Sequence, residues 1–334
     1  MSAPGCAGGG SAGAGSAGAR VVALAGGVGG AKLAAGLAAH LGARLTVVVN
    51  TADDLERYGL SIWPDHDTVV YTLAGLDDRE RGWGLRDETW AAMGTLERLG
   101  AEPWFRLGDR DLGTHLFRTE RLAAGRRPTH VALEIQRGFG LTPRVLPMAD
   151  EPVRTRVRTD EGWLPFQDYF VRRHQEPIVH EVAFDGIEAA RPTPEVLAAI
   201  AGAQTIVVCP SNPFVSIGPI LAVPGLREAV ADRRAAGVRV VAVSPIVGGR
   251  ALKGPADRML AALGHESSAV GVARLYVGLV DVLVIDEVDR SAAAAISALG
   301  IEPVVGPTVM TDDDSRAAVG SLVLSAARRA TTSA

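Results

Sequence analysis

The sequence predicts an α/β fold: a Rossmann-like, open, mostly parallel sheet with an inserted helical cap and a small β-hairpin region. Three observations predict it. An apolar run of β type breaks into a Gly-rich turn and then a helical pattern over residues 20–41, and a second β run follows at 45–50. Three more short β-rich runs return after residue 204, each ending in a polar loop that carries Gly or Pro. Between the two blocks lie helical patterns from Thr68 to about Gly138 and an alternating stretch from Arg144 to about Ile187. Strands interleaved with helical segments belong to βαβ units and a parallel sheet.

The elements follow in order. Residues 1–19 are mostly Gly, Ala and Ser and lack the basic start and apolar block of a signal peptide, so they read as a disordered leader outside the fold. Arg20–Ala25 is the first strand, Ala31–Leu41 the first helix and Leu45–Asn50 the second strand. The polar segment TADDLERYGLSIWPDHDT comes next. The patterns TVVYTLAGL, DETWAAMGTLERLG, DLGTHLFRTERLAAG and THVALEIQRGFG then place a helical cap over about 68–140 at the sheet edge. VRTRVRT-DEG-WLPFQDYF alternates around a turn triplet and reads as a hairpin. TIVVC (205–209), VRVVAVSP (238–245), VDVLVIDE (280–287) and EPVVGP (302–307) are the returning strands, and 315–329 the last helix. With no repeat and no clear linker, residues 20–330 are expected to form one domain.

Composition narrows the class. Hydrophobic residues make up 47% and charged residues 22% of 334, which suits a globular chain with a large core. A net charge of −4 argues against a nucleic-acid partner. No apolar stretch reaches membrane-spanning length. Cys6 and Cys209 make no disulfide framework, which points to a reducing cytoplasm.

Four segments carry chemistry. The turn AGGVGGAK ends the first strand, where backbone N–H groups and a helix N-terminus face an anion. It is neither a dinucleotide fingerprint nor a P-loop: Lys32 stands where the third Gly belongs, and no Gly-Lys-Ser or Gly-Lys-Thr follows. Asp53 and Asp54 lie past the second strand, and Asp65 and Asp67 lie in PDHDT. Such carboxylates suit Mg²⁺ beside phosphate, against a bland reading as a solvated loop with capping aspartates. RLGDRDLGTH (106–115) gathers Arg106, Asp109, Arg110, Asp111 and His115, and reads equally as a salt-bridged helix start. CPSNPFVSIGPIL (209–221) and SPIVGGRALKGPADRML (244–260) are loops whose hydroxyls, amide, Arg250 and Lys253 suit a phosphate or base edge.

Together GGVGGAK, NTADD, PDHDTVVYTLAG, GDRDLGTH, the SNPFVSIGPIL loop and SPIVGG resemble, in order and spacing, the 2-phospho-L-lactate transferase family, from about Arg20 to about Arg329. Its actinobacterial branch is the phosphoenolpyruvate transferase of coenzyme F420 biosynthesis. The resemblance implies transfer of a three-carbon acid phosphate from a guanosine-diphospho donor to the terminal ribityl hydroxyl of the deazaflavin Fo. GMP would leave, with Mg²⁺ as cofactor and a cytoplasmic homodimer as the assembly. It further implies Asp54 and Asp67 as catalytic, and Asp65, Asp67 and Arg106 at Fo. Asp53, Asp54, Asp65 and Asp67 would hold the metal. Gly26, Gly27, Gly29, Gly30 and Lys32 would lie at the diphosphate, and Ser211, Asn212, Pro213 and Ser216 at the nucleotide. Asp67, expected on a surface loop, should be replaceable with little loss of stability. The alternative is a related Gly-rich family that binds nucleotide sugars in regulation. Such a protein would lack the full acidic loop and GDRDLGTH.

Overall fold

The computed structural model describes residues 18–328, so the leader expected over 1–19 falls outside it except for its last two residues. Strand β1 (Val21–Ala25) runs into helix α1 (Gly27–Leu41) and on to β2 (Leu45–Val49). A hairpin of β3 (Leu55–Arg57) and β4 (Leu60–Ile62) follows. Helices α2 (Pro64–Leu73), α3 (Ala91–Arg98), α4 (Asp109–Ala123) and α5 (Pro128–Gly138) lead back to the sheet at β5 (Arg144–Pro147). Next, β6 (Arg154–Thr159), β7 (Gly162–Pro165) and β8 (Val179–Asp185) form a separate antiparallel sheet. The chain continues through α6 (Pro194–Ala201), β9 (Thr205–Val208), α7 (Ile217–Ala222), α8 (Leu226–Ala235) and β10 (Arg239–Val243). A short pair, β11 (Ile246–Val247) and β12 (Arg250–Ala251), precedes α9 (Ala256–Ala262) and α10 (Ala269–Leu275). The last elements are β13 (Val282–Ile285), α11 (Ala293–Ser297), β14 (Glu302–Val305) and α12 (Asp313–Arg328).

The main sheet has seven strands in the order β14-β13-β10-β9-β1-β2-β5, every pair parallel. The chain therefore starts in the middle, winds outward through β2 and β5, then returns to β9 and winds the other way. Connections diverge on either side of β1 and β9, and the carboxyl ends of those two strands open a crevice. Because side chains alternate along a strand, one apolar run feeds two layers. Val21, Ala23 and Ala25 pack with Leu33 of α1, Val70 of α2, Val131 of α5 and Val323 of α12. Val22 and Leu24 pack on the opposite face with Ile220 of α7, Val230 of α8 and Val272 of α10.

Three local differences from the sequence reading have physical causes. Helix α1 begins at Gly27, not Ala31, so the Gly-rich turn is the helix's own first turn. Helix propensity counts little there, since first-turn N–H groups have no intrahelical partner in any case. The polar stretch after β2 folds into the β3–β4 hairpin. Its turn residues Tyr58 and Gly59 have φ of 53° and 71°, the pair of positive values a two-residue hairpin loop requires. Tyr-Gly is a weak signal for it. The hairpin expected at VRTRVRT-DEG-WLPF is β6–β7, but Asp168–Arg172 leaves the strand as a π-helical turn. The inserted helices also do two jobs. α2 and α5 complete a face of the sheet, whereas α3 and α4 join the hairpin in a satellite core around Ile62, Met93 and Leu107.

Candidate active site

The crevice opens into a cavity of about 760 Å³ lined by the ends of β1 and β9 and by loops of the inserted helices. Two of its walls are stitched together. Ser211, just past β9, accepts a hydrogen bond from the Gly26 N–H (3.1 Å) and donates to the Gly26 carbonyl (2.7 Å). A Cβ at residue 29 would overlap the Pro210 carbonyl oxygen, and one at residue 30 would stand 2.6 Å from Ser211 Oγ. Gly29 and Gly30 are thus small because another loop lies against them. Gly27 alone of the four glycines has a positive φ, 60°.

The acidic residues separate into two groups. Asp65 opens α2 and accepts from the Asn50 amide at 3.0 Å. Burial raises its carboxyl to about 6, against the lowering effect of Asn50 and the Gly27 N–H. Asp53 is raised well above the carboxylate range by burial and then by the charge of Asp65, and its Oδ1 has no hydrogen-bond partner. Both line the cavity. Two interacting buried carboxylates, neither ion-paired among the described residues, make an all-oxygen set that a hard divalent ion would neutralise. Asp54 is also buried, raised well above its range by burial, and unpaired at Oδ1. It does not line the cavity, and neither do Gly30 or Pro213.

Asp67 belongs to the second group, and here the surface-loop expectation fails. It is 5% exposed in the first turn of α2 and forms an ion pair with Arg118, which is fully buried. Burial alone would raise the Asp67 carboxyl, but Arg118, with His66 and His115 adding to it, outweighs burial and holds it at about 2. Arg118 also donates to the Ser61 carbonyl (3.2 Å) and to His115 Nδ1 (2.9 Å), and lies 4.4 Å over the Trp63 ring. The Tyr71 hydroxyl donates to Asp111 at 2.6 Å. Among the described residues, Asp67, Asp111 and His115 are the one trio whose ligand atoms lie within 4.8 Å of one another. A metal there is disfavoured by charge and by hydrogen. Arg118 already neutralises Asp67, and its N–H on Nδ1 of His115 puts the proton of a neutral ring on Nε2, which then has no lone pair to offer.

Sequence reasoning undervalued Asp111 and His115 and missed Arg118. The signal was present: all the buried residues of α4 are polar, Asp111, Thr114, His115 and Arg118. They occupy the i, i+3, i+4, i+7 stripe that is apolar in an ordinary surface helix.

The remaining predicted residues take these places. Lys32 lines the cavity and donates to the Met310 carbonyl at 2.8 Å. Asn212 turns its own loop, accepting from Phe214 N at 2.9 Å, and with Ser216 faces the cavity. Arg106 is at the cavity wall, 4.7 Å over the Trp90 ring. Trp104, Phe105, Phe166 and Phe170 add an aromatic side.

Fold and site together define a doubly wound α/β protein with a buried acidic pair facing a Gly-rich helix N-terminus. The description "2-phospho-L-lactate transferase CofD" matches residues 21–308, and the chain belongs to that transferase family. The phosphoenolpyruvate transferase of Kitasatospora aureofaciens is 45% identical over 318 residues, covering 93% of this chain and 98% of its own. The 2-phospho-L-lactate transferase of Methanosarcina mazei is 38% identical over 307 residues, covering 92% and 100%. A solved UPF0052-family protein of Bacillus halodurans shares the fold, with a TM-score of 0.60 at 17% identity, over 92% of this chain and 98% of that one.

Proposed function

We propose that this enzyme acts in coenzyme F420 biosynthesis. It moves a phosphoenolpyruvyl or 2-phospholactyl group from a guanosine-diphospho donor to the terminal ribityl hydroxyl of Fo. The ribityl oxygen bonds to the β-phosphorus while the bridging P–O bond breaks, the ribityl proton leaves to solvent, and GMP carries away the bridging oxygen. The product is dehydro-F420-0 or F420-0. The observation that carries the reading is the Asp53–Asp65 pair set against the Gly-rich first turn of α1 at the strand crossover.

Asp53 and Asp65 are the residues that would hold Mg²⁺, which supplies charge neutralisation on the diphosphate. The Gly-rich segment from Gly26 to Gly30 presents N–H groups to the same phosphates, with Lys32 just past its end. Asn212 and Ser216 face the nucleotide. The aromatic side and Arg106 take the flat deazaflavin. Asp67 keeps Oδ2 free of hydrogen bonds and orients the ribityl hydroxyl by accepting from it. A carboxyl held at about 2 is a poor proton acceptor, so Asp67 positions more than it deprotonates. Asp54, behind the wall, acts through the field it adds at Asp53. Among the described residues no helix is long and apolar enough to cross a membrane. The enzyme works in the cytoplasm as a homodimer, as the family resemblance implies.

The test is turnover of purified protein with Fo, Mg²⁺ and each guanosine-diphospho acid in parallel. GMP release with a new phosphodiester deazaflavin is the expected result, and the fastest donor identifies the acid. Absence of GMP and of Fo binding, with nucleotide-sugar binding intact, would replace this reading with the regulatory one.

A further inference from the structure

Lysine is nearly absent from this chain. Of its 34 basic side chains only two are lysines, Lys32 and Lys253, and both line one recess of about 140 Å³. Lys32 comes from α1 and Lys253 from the loop between β12 and α9. The recess shares Lys32, Thr68, Gly82 and Lys253 with the main cavity.

Asp77, Arg79, Glu80 and Arg316 share the lining of the recess, yet among the described residues neither ammonium group is ion-paired. Lys32 Nζ donates to a backbone carbonyl, and Lys253 Nζ reaches only the Arg81 carbonyl, at 3.5 Å. Among the described residues neither has a carboxylate within ion-pair distance. The neighbouring arginines differ: Arg79 is tied to Asp313, and Arg316 to Asp77 and Asp313. Burial, then the charges of Arg316 and Lys253, hold Lys32 below the ordinary lysine range, with Asp77 opposing. The backbone makes room for this arrangement. Gly82 has φ of 79°, and a Cβ there would overlap Lys253 Nζ. An ammonium is a compact, strongly hydrated point charge, whereas a guanidinium is a flat fork. In a chain that uses arginine everywhere else, both lysines line one recess with room for a small anion.

We propose that Lys32 and Lys253 together bind the carboxylate of the three-carbon acid carried by the donor. This rests on the transferase reading and deepens it. The Gly turn holds the diphosphate, and the recess reads the acid. Lys253, on an exposed loop, engages as the donor enters, whereas Lys32 is fixed on the helix.

Calorimetric titration of Mg²⁺-loaded protein with phosphoenolpyruvate, with GDP and with inorganic phosphate tests it. Lys253→Met and Lys32→Met should each weaken phosphoenolpyruvate binding by about tenfold or more, the scale of one charge-assisted hydrogen bond. Lys253→Met should leave GDP binding within about twofold. Lys253→Arg keeps the charge and should recover part of the loss. Equal loss of GDP and phosphoenolpyruvate would overturn the proposal, because the lysines would then belong to the diphosphate. So would unchanged phosphoenolpyruvate binding, its absence in the wild type, or inorganic phosphate binding as tightly as the acid. Wild-type protein that binds phosphoenolpyruvate through these lysines yet releases no GMP would sink the transferase reading and leave the recess standing.

Discussion

Arg118→Met removes a charge while keeping most of the side-chain volume, so its effect reports electrostatics more than a cavity. Arg118 is fully buried, paired with Asp67, hydrogen-bonded to Ser61 and His115, and laid over Trp63. Removing one partner of a buried ion pair costs about 3–5 kcal/mol, because the other charge is left uncompensated. The titration of Asp67 gives an independent figure. Its folded value of about 2 against 3.8 corresponds to roughly 2–3 kcal/mol. The lost cation–π contact adds about 0.5–2 kcal/mol, which brings the two figures together. The sign follows from the direction of the shift. A depressed carboxyl stabilises the fold above its unfolded value and loses that contribution as pH falls from about 4 toward 2. In the variant, Asp67 is buried without a guanidinium and is penalised as it ionises. The loss should therefore be largest at neutral pH and shrink toward pH 3. Urea unfolding followed by Trp fluorescence at pH 7 and near pH 3 measures it, and Asp67→Asn added to Arg118→Met should return most of the loss at pH 7. A loss below about 1 kcal/mol at pH 7, against the 3–5 expected of a buried pair, or the same loss at both pH values, would refute the argument.

Other perturbations have distinct outcomes. Asp65→Asn should stabilise the metal-free protein at pH 8 by up to about 3 kcal/mol, since a carboxyl raised from 3.8 to about 6 penalises the fold once ionised. The same variant should lose most turnover, and its melting temperature should no longer respond to millimolar Mg²⁺; a wild-type Mg²⁺ response in it would remove Asp65 from the metal site. Gly29→Ala should cost about 1–3 kcal/mol by pushing its Cβ into the Pro210 carbonyl, read as a lowered urea midpoint, and a neutral result would mean the β9 loop yields freely. Ser211→Ala removes two buried hydrogen bonds to Gly26 and should destabilise by about 1–3 kcal/mol. If GDP binding fell in Ser211→Ala with stability unchanged, Ser211 would be a ligand contact and not a stitch. Asp67→Asn should lose most turnover and should also lower stability, because Arg118 is then left buried without its partner.

The fold was largely legible because a parallel strand buried on both faces must be apolar along its length. VVALA, TIVV and VLVI are such runs, rich in β-branched residues and bounded by turn residues. The site was legible in part. Gly, Ser, Asn and Asp at strand ends mark loops that a doubly wound sheet gathers at one edge, so Gly26, Gly27, Asp53, Asp65, Asn212 and Ser216 were all within reach. The β3–β4 hairpin was not legible, because its Tyr-Gly turn is held by the satellite core and not by turn chemistry.

By itself the sequence determined where the main strands end, that helical segments are inserted between the second strand and the returning ones, and that no Gly-Lys-Ser or dinucleotide signature governs the turn. Tertiary structure alone decided how the charges pair. It sent Asp67 to Arg118 from α4, left Asp53 and Asp65 at the cavity with no ion-pair partner among the described residues, kept Asp54 out of the cavity lining, and set Lys32 and Lys253 along one recess. The physical reason is distance. A charge is neutralised or stranded by what lies within a few ångströms of it, and the chain sets those neighbours only when its sheet order and helix layers close.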